Sequence, residues 1–171
     1  MKRPETTEYD PYYEKYVSRV TEPDLLELLE RQPEELAALF RDATEDKGSF
    51  SYADGKWTIK EVLSHLIDGE RMFAYRVLRI SRGDETPIEG FEQDGYIANA
   101  HANQRPFAEL LEEFALLRRA NMIFFRNVRD DGWTRIGAAS GVKVSVRALA
   151  YIMAGHVRHH VAILDERYLN D

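Results

Sequence analysis

The stretch AGHVRHHVAIL, residues 154–164, holds three of the chain's five histidines within an otherwise largely apolar segment. Apolar residues recur at helical spacing from about 145 to 168, and Ser145 is a residue type that caps helix N-termini. At about 100° per residue, His156 and His160 fall inside the apolar arc of this helix, and His159 falls at its margin. The segment therefore predicts a buried helix with two inward imidazoles, which need partners because unpaired buried polar groups are costly.

Three further segments have the periodicity of amphipathic helices. Pro33 interrupts the first, TEPDLLELLERQPEELAALF, so we expect a short helix, a break and a second helix that begins at Pro33. The next begins at a capping box of Thr58 and Glu61 and ends near Gly83, and another covers about 106–129. The glycine-rich segment TRIGAASGVKVS predicts a hairpin-like excursion before the last helix.

Four long helices with little strand signal predict an all-α fold, a four-helix bundle. About 23 residues join the second helix to the third, which leaves room for a long crossover rather than a tight hairpin. The 171 residues suit a single domain over 1–171, and residues 1–20 read as an irregular N-terminal arm with aromatic anchors.

Composition limits the classes of partner. The formal net charge of −7 argues against nonspecific nucleic-acid binding, because a phosphate backbone would be repelled. No apolar run approaches the ~18 residues of a membrane span, and the N-terminus lacks the apolar core of a signal peptide, so we expect a cytoplasmic protein without a membrane partner. The absence of cysteine excludes disulfides, thiolate metal ligands and a cysteine nucleophile.

The spacing of His156 and His160 suits a metal ion, since side chains four residues apart on a helix meet on one face. The alternative is a pair of core histidines, each bonded to its own carbonyl or carboxylate. His65 on the second helix is the candidate third ligand, whereas His101 is interpreted as a loop residue. Three histidines without a fourth protein ligand leave a position where water, a substrate oxygen or a thiol would bind with a lowered pKa. Imidazole ligands suit zinc, nickel, iron or copper.

Two charged residues also fall on interior helix faces. Glu70 lies in the middle of the apolar face of the second helix, and Arg118 lies inside the third. Buried charges must be paired or hydrogen-bonded, so we expect these two side chains to meet, or each to meet a metal-bound group. One interpretation is a structural ion pair. The other gives Glu70 a catalytic role, as general base or as the carboxylate that orients a ligand histidine.

The order and spacing of these segments resemble the DinB-like superfamily of four-helix metalloproteins. The residues that carry the resemblance are WTIKEVLSHLIDGERMFAYRVLRI, then a long loop, then VSVRALAYIMAGHVRHHVAIL. The family pattern has one histidine on the second helix and an H-x3-H pair on the last, and His65, His156 and His160 occupy those positions. The resemblance implies an up-down-down-up bundle, a divalent metal that is often zinc or nickel, and frequent homodimers.

Three functional hypotheses remain open at this stage. The first is a metalloenzyme that activates a low-molecular-weight thiol or water for transfer onto a small-molecule substrate, as the resemblance to bacillithiol-dependent S-transferases and a mycothiol-dependent isomerase implies. The second is a metal-dependent hydrolase with Glu70 as base. The third is a non-catalytic metal-binding stress-response bundle.

Overall fold

Helices form at the four segments with helical periodicity in a computed structural model that describes residues 1–169. The elements in chain order are α1 (Glu14–Val17), α2 (Leu25–Leu39), α3 (Glu45–Gly48), α4 (Ile59–Ser81), α5 (Gln93–Ala100), α6 (Phe107–Phe125), α7 (Asp130–Trp133), β1 (Ile136–Ala139), β2 (Val142–Ser145) and α8 (Val146–Leu164). There are also 3₁₀ turns at Thr6–Glu8, Pro11–Tyr13 and Ala102–Gln104, and a π-helical turn at Asp165–Leu169.

Side-chain caps fix where three of the long helices begin. Asp24 accepts hydrogen bonds from backbone N–H groups at the start of α2, and Ser145 accepts one from Ala148 at the start of α8. The predicted capping box is confirmed: the Glu61 N–H donates to Thr58 Oγ1 at 3.1 Å, and the Thr58 N–H donates to the Glu61 carboxylate at 2.8 Å. These bonds satisfy N–H groups that the helix leaves without partners.

The four long helices bury their apolar stripes against one another. Both α2 and α4 pack against α6 and α8, so the fold is a four-helix bundle, as predicted. Leucine-sized side chains are removed from water along each interface, and each contributes about 1.5–3 kcal/mol. Fully buried examples are Leu28, Leu63, Leu110, Phe114, Ile152 and Leu164.

The predicted break at Pro33 is wrong, because α2 continues from Leu25 to Leu39 with the proline inside it. Proline lacks the N–H that would bond to the carbonyl four residues earlier, here that of Leu29. This carbonyl instead accepts a hydrogen bond from Arg118 Nη1 on α6 at 2.7 Å. A contact from another helix thus replaces the local bond, and the helix is not interrupted.

The N-terminal arm lies against the last helix. It consists of two 3₁₀ turns followed by α1, and its side chains Tyr9, Tyr16 and Val17 are buried. The backbone of α1 comes so close to α8 that a Cβ at Gly155 would overlap the Tyr16 carbonyl. Glycine at this position therefore lets the arm reach the side of α8 that carries the histidines.

The long connection between α4 and α6 contains α5 and a 3₁₀ turn and is tied to the hairpin. The Ile88 N–H donates to Ala138, and the Ile88 carbonyl accepts from Ser140, both at 2.9 Å. The predicted hairpin-like excursion is confirmed, since β1 and β2 pair antiparallel with Ile136 opposite Ser145. The all-α assignment is corrected by this one small sheet.

None of the helices within residues 1–169 combines the length and the apolar character that crossing a membrane requires.

Candidate metal centre

Three imidazole rings from two helices meet in the bundle interior. His65 comes from α4, and His156 and His160 come from α8. One ring nitrogen from each lies within 4.8 Å of those of the other two. The ring centroids are 4.6–4.9 Å apart, and the Nε2 atoms of His65 and His156 are 2.9 Å apart. The structure thus brings together the three histidines that the sequence singled out.

Local sequence explains why the rings can converge. His156 and His160 are one helical turn apart, and α8 packs directly on α4 where His65 faces it. Gly69 follows His65 by one turn, and a Cβ there would lie only 3.2 Å from Cε1 of His156. The small residue on α4 makes room for the ring from α8, and His65 and His156 end up 4% and 6% exposed.

The three rings are neutral in this environment. Burial lowers the pKa of His65 to about 4 and, with a smaller effect of the neighbouring histidines and Lys15, that of His160 to about 3. Burial likewise lowers the pKa of His156 well below its usual range. A neutral imidazole keeps a lone pair on one ring nitrogen, which is the form that binds metal ions.

None of the three rings has a hydrogen bond to a carbonyl or a carboxylate among residues 1–169, and two of them, His65 and His156, bond to each other. Among residues 1–169, the only side-chain hydrogen bond that involves these three histidines is the contact between His65 and His156. Core histidines held by their own carbonyls or carboxylates, the alternative considered from the sequence, would have bonds of that kind. Three converging ring nitrogens without such bonds instead suit the ligation of a metal ion.

A cavity of about 560 Å³ opens beside the histidines. His65 and His156 line it together with Arg76 and three tyrosines of the N-terminal arm, Tyr12, Tyr13 and Tyr16. Tyr16 packs edge-on against His156 with ring centroids 5.3 Å apart. A smaller cavity of about 330 Å³ reaches His160 from another side and includes Asp94. The histidines therefore border space that a small molecule can enter.

The comparison with protein families agrees with this geometry. The family model described as the DinB superfamily matches residues 28–164. The chain belongs to the DinB superfamily. The match spans α2 to α8 and contains all three converging histidines, so the resemblance drawn from the sequence motifs is confirmed.

A solved structure similar to this DinB-superfamily chain is that of YfiT from Bacillus subtilis, with a TM-score of 0.77 and 18% sequence identity. The alignment covers 96% of this chain and 90% of YfiT. YfiT is described as "a probable metal-dependent hydrolase with an unusual four-helix bundle topology". At this identity the likeness establishes the fold alone. A search of curated protein sequences found no significant match.

The predicted meeting of Glu70 and Arg118 is confirmed. Arg118 donates from Nε and Nη2 to the two carboxylate oxygens of Glu70 at 2.7 and 2.9 Å, and both residues are nearly fully buried. Asn121 donates to the same carboxylate at 2.9 Å. Glu70 is absent from the residues that line either cavity at the histidines. These contacts favour the structural ion pair, and a catalytic role of Glu70 stays a prediction.

The other two histidines do not belong to the group of three ring nitrogens, although the His159 ring packs edge-on against His160 with centroids 5.2 Å apart. His101 ends α5 on the exposed surface with a left-handed backbone, φ 50°, which agrees with its interpretation as a loop residue. His159 packs against Tyr16, and its Nδ1 is buried without a partner among residues 1–169.

The arm tyrosines and Ser140 of the hairpin line the cavity, which the sequence pattern does not predict. The one signal for it is the tyrosine-rich segment YDPYYEKY, from which only aromatic packing anchors are expected.

Proposed function

We propose that this chain is a metal-dependent enzyme in which His65, His156 and His160 hold a divalent cation at the wall of a substrate cavity. The convergence of three neutral imidazoles carries the proposal: His65 and His156 are buried and line the 560 Å³ cavity, and His160 is half-buried and lines the 330 Å³ cavity. Their ring nitrogens have lone pairs and no carbonyl or carboxylate partner within residues 1–169. This donor set fits a transition-metal dication and does not suit magnesium or calcium, which take oxygen ligands. Among the transition metals, the resemblance to the family favours zinc or nickel.

A cation bound there would act as a Lewis acid and lower the pKa of a nucleophile beside it. The residues around the histidines prepare them to bind a cation. The bundle keeps the histidines neutral through burial, and Phe73 and Tyr16 pack edge-on against the His156 ring and restrict its rotation. The cavity presents the open side of the cluster to a small molecule.

We propose hydrolysis, with water as the nucleophile, as the reaction class that these features support best. Residues with polar groups, among them Arg76, Ser140 and the arm tyrosines, line the cavity, which suits a hydrated site. The description of YfiT as a probable metal-dependent hydrolase lends support from the same fold. The thiol-dependent transferase of the sequence analysis, with its low-molecular-weight thiol, stays a prediction and a second candidate.

Elemental analysis of protein purified without an affinity tag tests the metal. We expect about one zinc or nickel ion per chain, with loss of most of it in His65→Ala and His160→Ala. His101→Asn is the matched control, because it removes an imidazole outside the cluster and asparagine tolerates the left-handed backbone. Equal metal content in the wild type and in both cluster variants would overturn the proposal.

Cobalt substitution separates the two reaction classes. A hydrolase should release product from small activated esters without added thiol, and 2-mercaptoethanol should not accelerate this turnover, whether or not it binds the cobalt. A transferase should show a new sulfur-to-cobalt charge-transfer band and should require the thiol for turnover. A metal-loaded protein with neither activity nor a spectral response to added ligands would favour the non-catalytic metal-binding bundle.

Several finer predictions belong to this proposal. The resemblance to the family supports the up-down-down-up order of the helices, with a crossover between α4 and α6, and a homodimer. The composition and the net charge of −7 support a cytoplasmic location and the absence of a nucleic-acid partner. Light scattering coupled to size-exclusion chromatography tests the dimer, which would elute with twice the 19.8 kDa mass of the chain.

A further inference from the structure

Arg76 is a buried cation that the metal centre does not explain. It lies on α4, eleven residues after His65, and a separation of three helical turns puts both side chains on the same face of the helix. The side chain is only 3% exposed, yet it lines the same cavity as His65 and His156. The cavity therefore has the histidines in one part of its wall and a guanidinium in another.

The guanidinium lacks the partners that a buried arginine normally has. Its Nη2 donates to Ser140 Oγ at 2.7 Å and, at the 3.5 Å limit, to the backbone carbonyl of Glu89. Its Nε is buried and has no hydrogen-bond partner among residues 1–169. Among residues 1–169, the hydroxyl of Tyr13 is the side-chain group that favours the charged form of Arg76, and no carboxylate acts on its pKa, although burying a charge without a counter-ion is costly.

In Arg118, the other buried arginine, the positive charge and the N–H groups are compensated by partners within the bundle. Its nitrogens bind the Glu70 carboxylate, the Gln32 side chain and the Leu29 carbonyl. The difference between the two residues is the counter-ion: Arg118 binds a carboxylate, whereas Arg76, which lines the cavity beside the histidines, does not. A charge that stays unpaired beside an open cavity is placed to bind an anion from outside.

The other residues that line the cavity indicate which kind of anion would bind there. Tyr12, Tyr13 and Tyr16 from the arm, with Phe73 and Phe91, surround the space with aromatic rings. The one acidic side chain among the lining residues belongs to Glu92, whose oxygens accept hydrogen bonds from the N–H groups of Asp94 and Gly95 at the start of α5. Aromatic side chains around one guanidinium that has no carboxylate partner fit a small organic molecule that carries an oxyanion.

We propose that Arg76 is the anion-binding residue of this cavity and that the substrate is a small organic anion, a carboxylate or a phosphate ester. Its oxyanion accepts a hydrogen bond from Nε of Arg76, and its reacting group lies toward His65 and His156. The position of the reacting group near the histidines rests on the proposed metal-dependent function. The hydrogen bond from Arg76 to the oxyanion does not.

Calorimetric titration of the metal-free protein tests the anion site without any contribution from a bound cation. Benzoate and phenyl phosphate are the two probes, and neutral benzamide is the ligand control. We expect the two anions to bind and benzamide not to bind measurably. Arg76→Gln should weaken binding about tenfold or more, because a hydrogen bond to a charged donor is lost. Whichever of the two anions binds more tightly identifies the carboxylate or the phosphate class.

Two variants serve as controls for the fold and the charge. Arg71→Gln removes an exposed arginine from the same helix, one that pairs with Glu113 outside the cavity, and should leave binding unchanged. Arg76→Lys keeps the positive charge and should retain part of the affinity for phenyl phosphate. Arg76→Gln should be at least as stable as wild type, since it removes an unpaired buried charge; a large loss of stability would indicate a structural arginine and overturn the proposal.

The outcomes also separate this inference from the metal hypothesis. Equal affinity of the wild type and Arg76→Gln for both anions, or no binding by the wild type, refutes the anion site even if the protein holds its metal. Arg76-dependent binding that persists in His65→Ala supports the anion site even if elemental analysis finds no metal in the wild type.

Discussion

At the scale of single residues, Glu70 is held by bonds that leave its carboxylate little freedom. Arg118 engages both oxygens and Asn121 shares one of them, so the charge of the carboxylate is compensated inside the bundle. A general base must reach the proton that it removes, and these bonds direct Glu70 toward α6 rather than toward the cavity.

Removal of either partner should leave an unpaired buried charge. We expect Glu70→Ala and Arg118→Ala each to lower the free energy of unfolding by about 3–5 kcal/mol, and the double variant by less than the sum. Urea denaturation with matched m-values measures this coupling. Additive losses would mean that the two side chains contribute independently.

The isosteric variant Glu70→Gln tests the catalytic role separately. If Glu70 only stabilises the fold, Glu70→Gln should lower the unfolding free energy while the metal content and kcat of the remaining folded protein stay near those of the wild type. A large fall in kcat with unchanged metal content would support the general base that the sequence analysis considered.

At the scale of elements, the packing of the N-terminal arm against α8 depends on one close contact between their backbones. The backbone of α1 crosses α8 at Gly155, and this contact brings the arm tyrosines to the cavity beside His156. A methyl group at that point has no room, so the arm has to move away from the helix.

Gly155→Ala should therefore destabilise the protein by about 1–3 kcal/mol despite the better helix propensity of alanine. Hydrogen exchange should increase in residues 1–20 more than in the bundle. Gly95→Ala in α5 is the matched control, because a Cβ there meets only the flexible side chain of Glu92 and should be neutral or stabilising. Unchanged exchange in the arm of Gly155→Ala would contradict the close approach.

At the scale of the whole molecule, the buried histidines couple stability to pH. Burial lowers the pKa of His65 to about 4 and that of His160 to about 3, whereas an unfolded histidine titrates near 6.5. As pH falls below about 6.5, the unfolded chain takes up protons that the folded chain does not, so folding becomes less favourable. The stability that neutral rings contribute is present above pH 6.5 and is lost as pH falls toward 4.

Metal-free protein should therefore lose stability between pH 6.5 and 5, above the range in which most carboxylates titrate, by up to about 1.4 kcal/mol per pH unit for each such histidine. Thermal unfolding across this range measures the slope. His65→Leu should reduce this slope, and His101→Asn should not.

Zinc should raise the melting temperature of the wild type at pH 7. This effect should disappear at pH 5, where protons compete with the metal for the histidine ligands.

Sequence alone determined the features that depend on local pattern. Helical periodicity and the Thr58–Glu61 cap predicted the four long helices, and the four-residue spacing of His156 and His160 predicted their shared face. Charges on apolar faces predicted that Glu70 and Arg118 meet, because a buried charge must find a partner. Each inference needs only neighbours along the chain and the cost of burying a polar group.

Tertiary structure decided what depends on contacts between distant segments. Pro33 stays within α2 because the Arg118 side chain, far along the chain, bonds to the carbonyl that the proline leaves free. The cavity at the histidines exists because the arm tyrosines, α4 and the hairpin Ser140 meet there, and Nε of Arg76 lies beside it without a partner among residues 1–169. Such packing joins residues that are tens of positions apart, and no local periodicity encodes it.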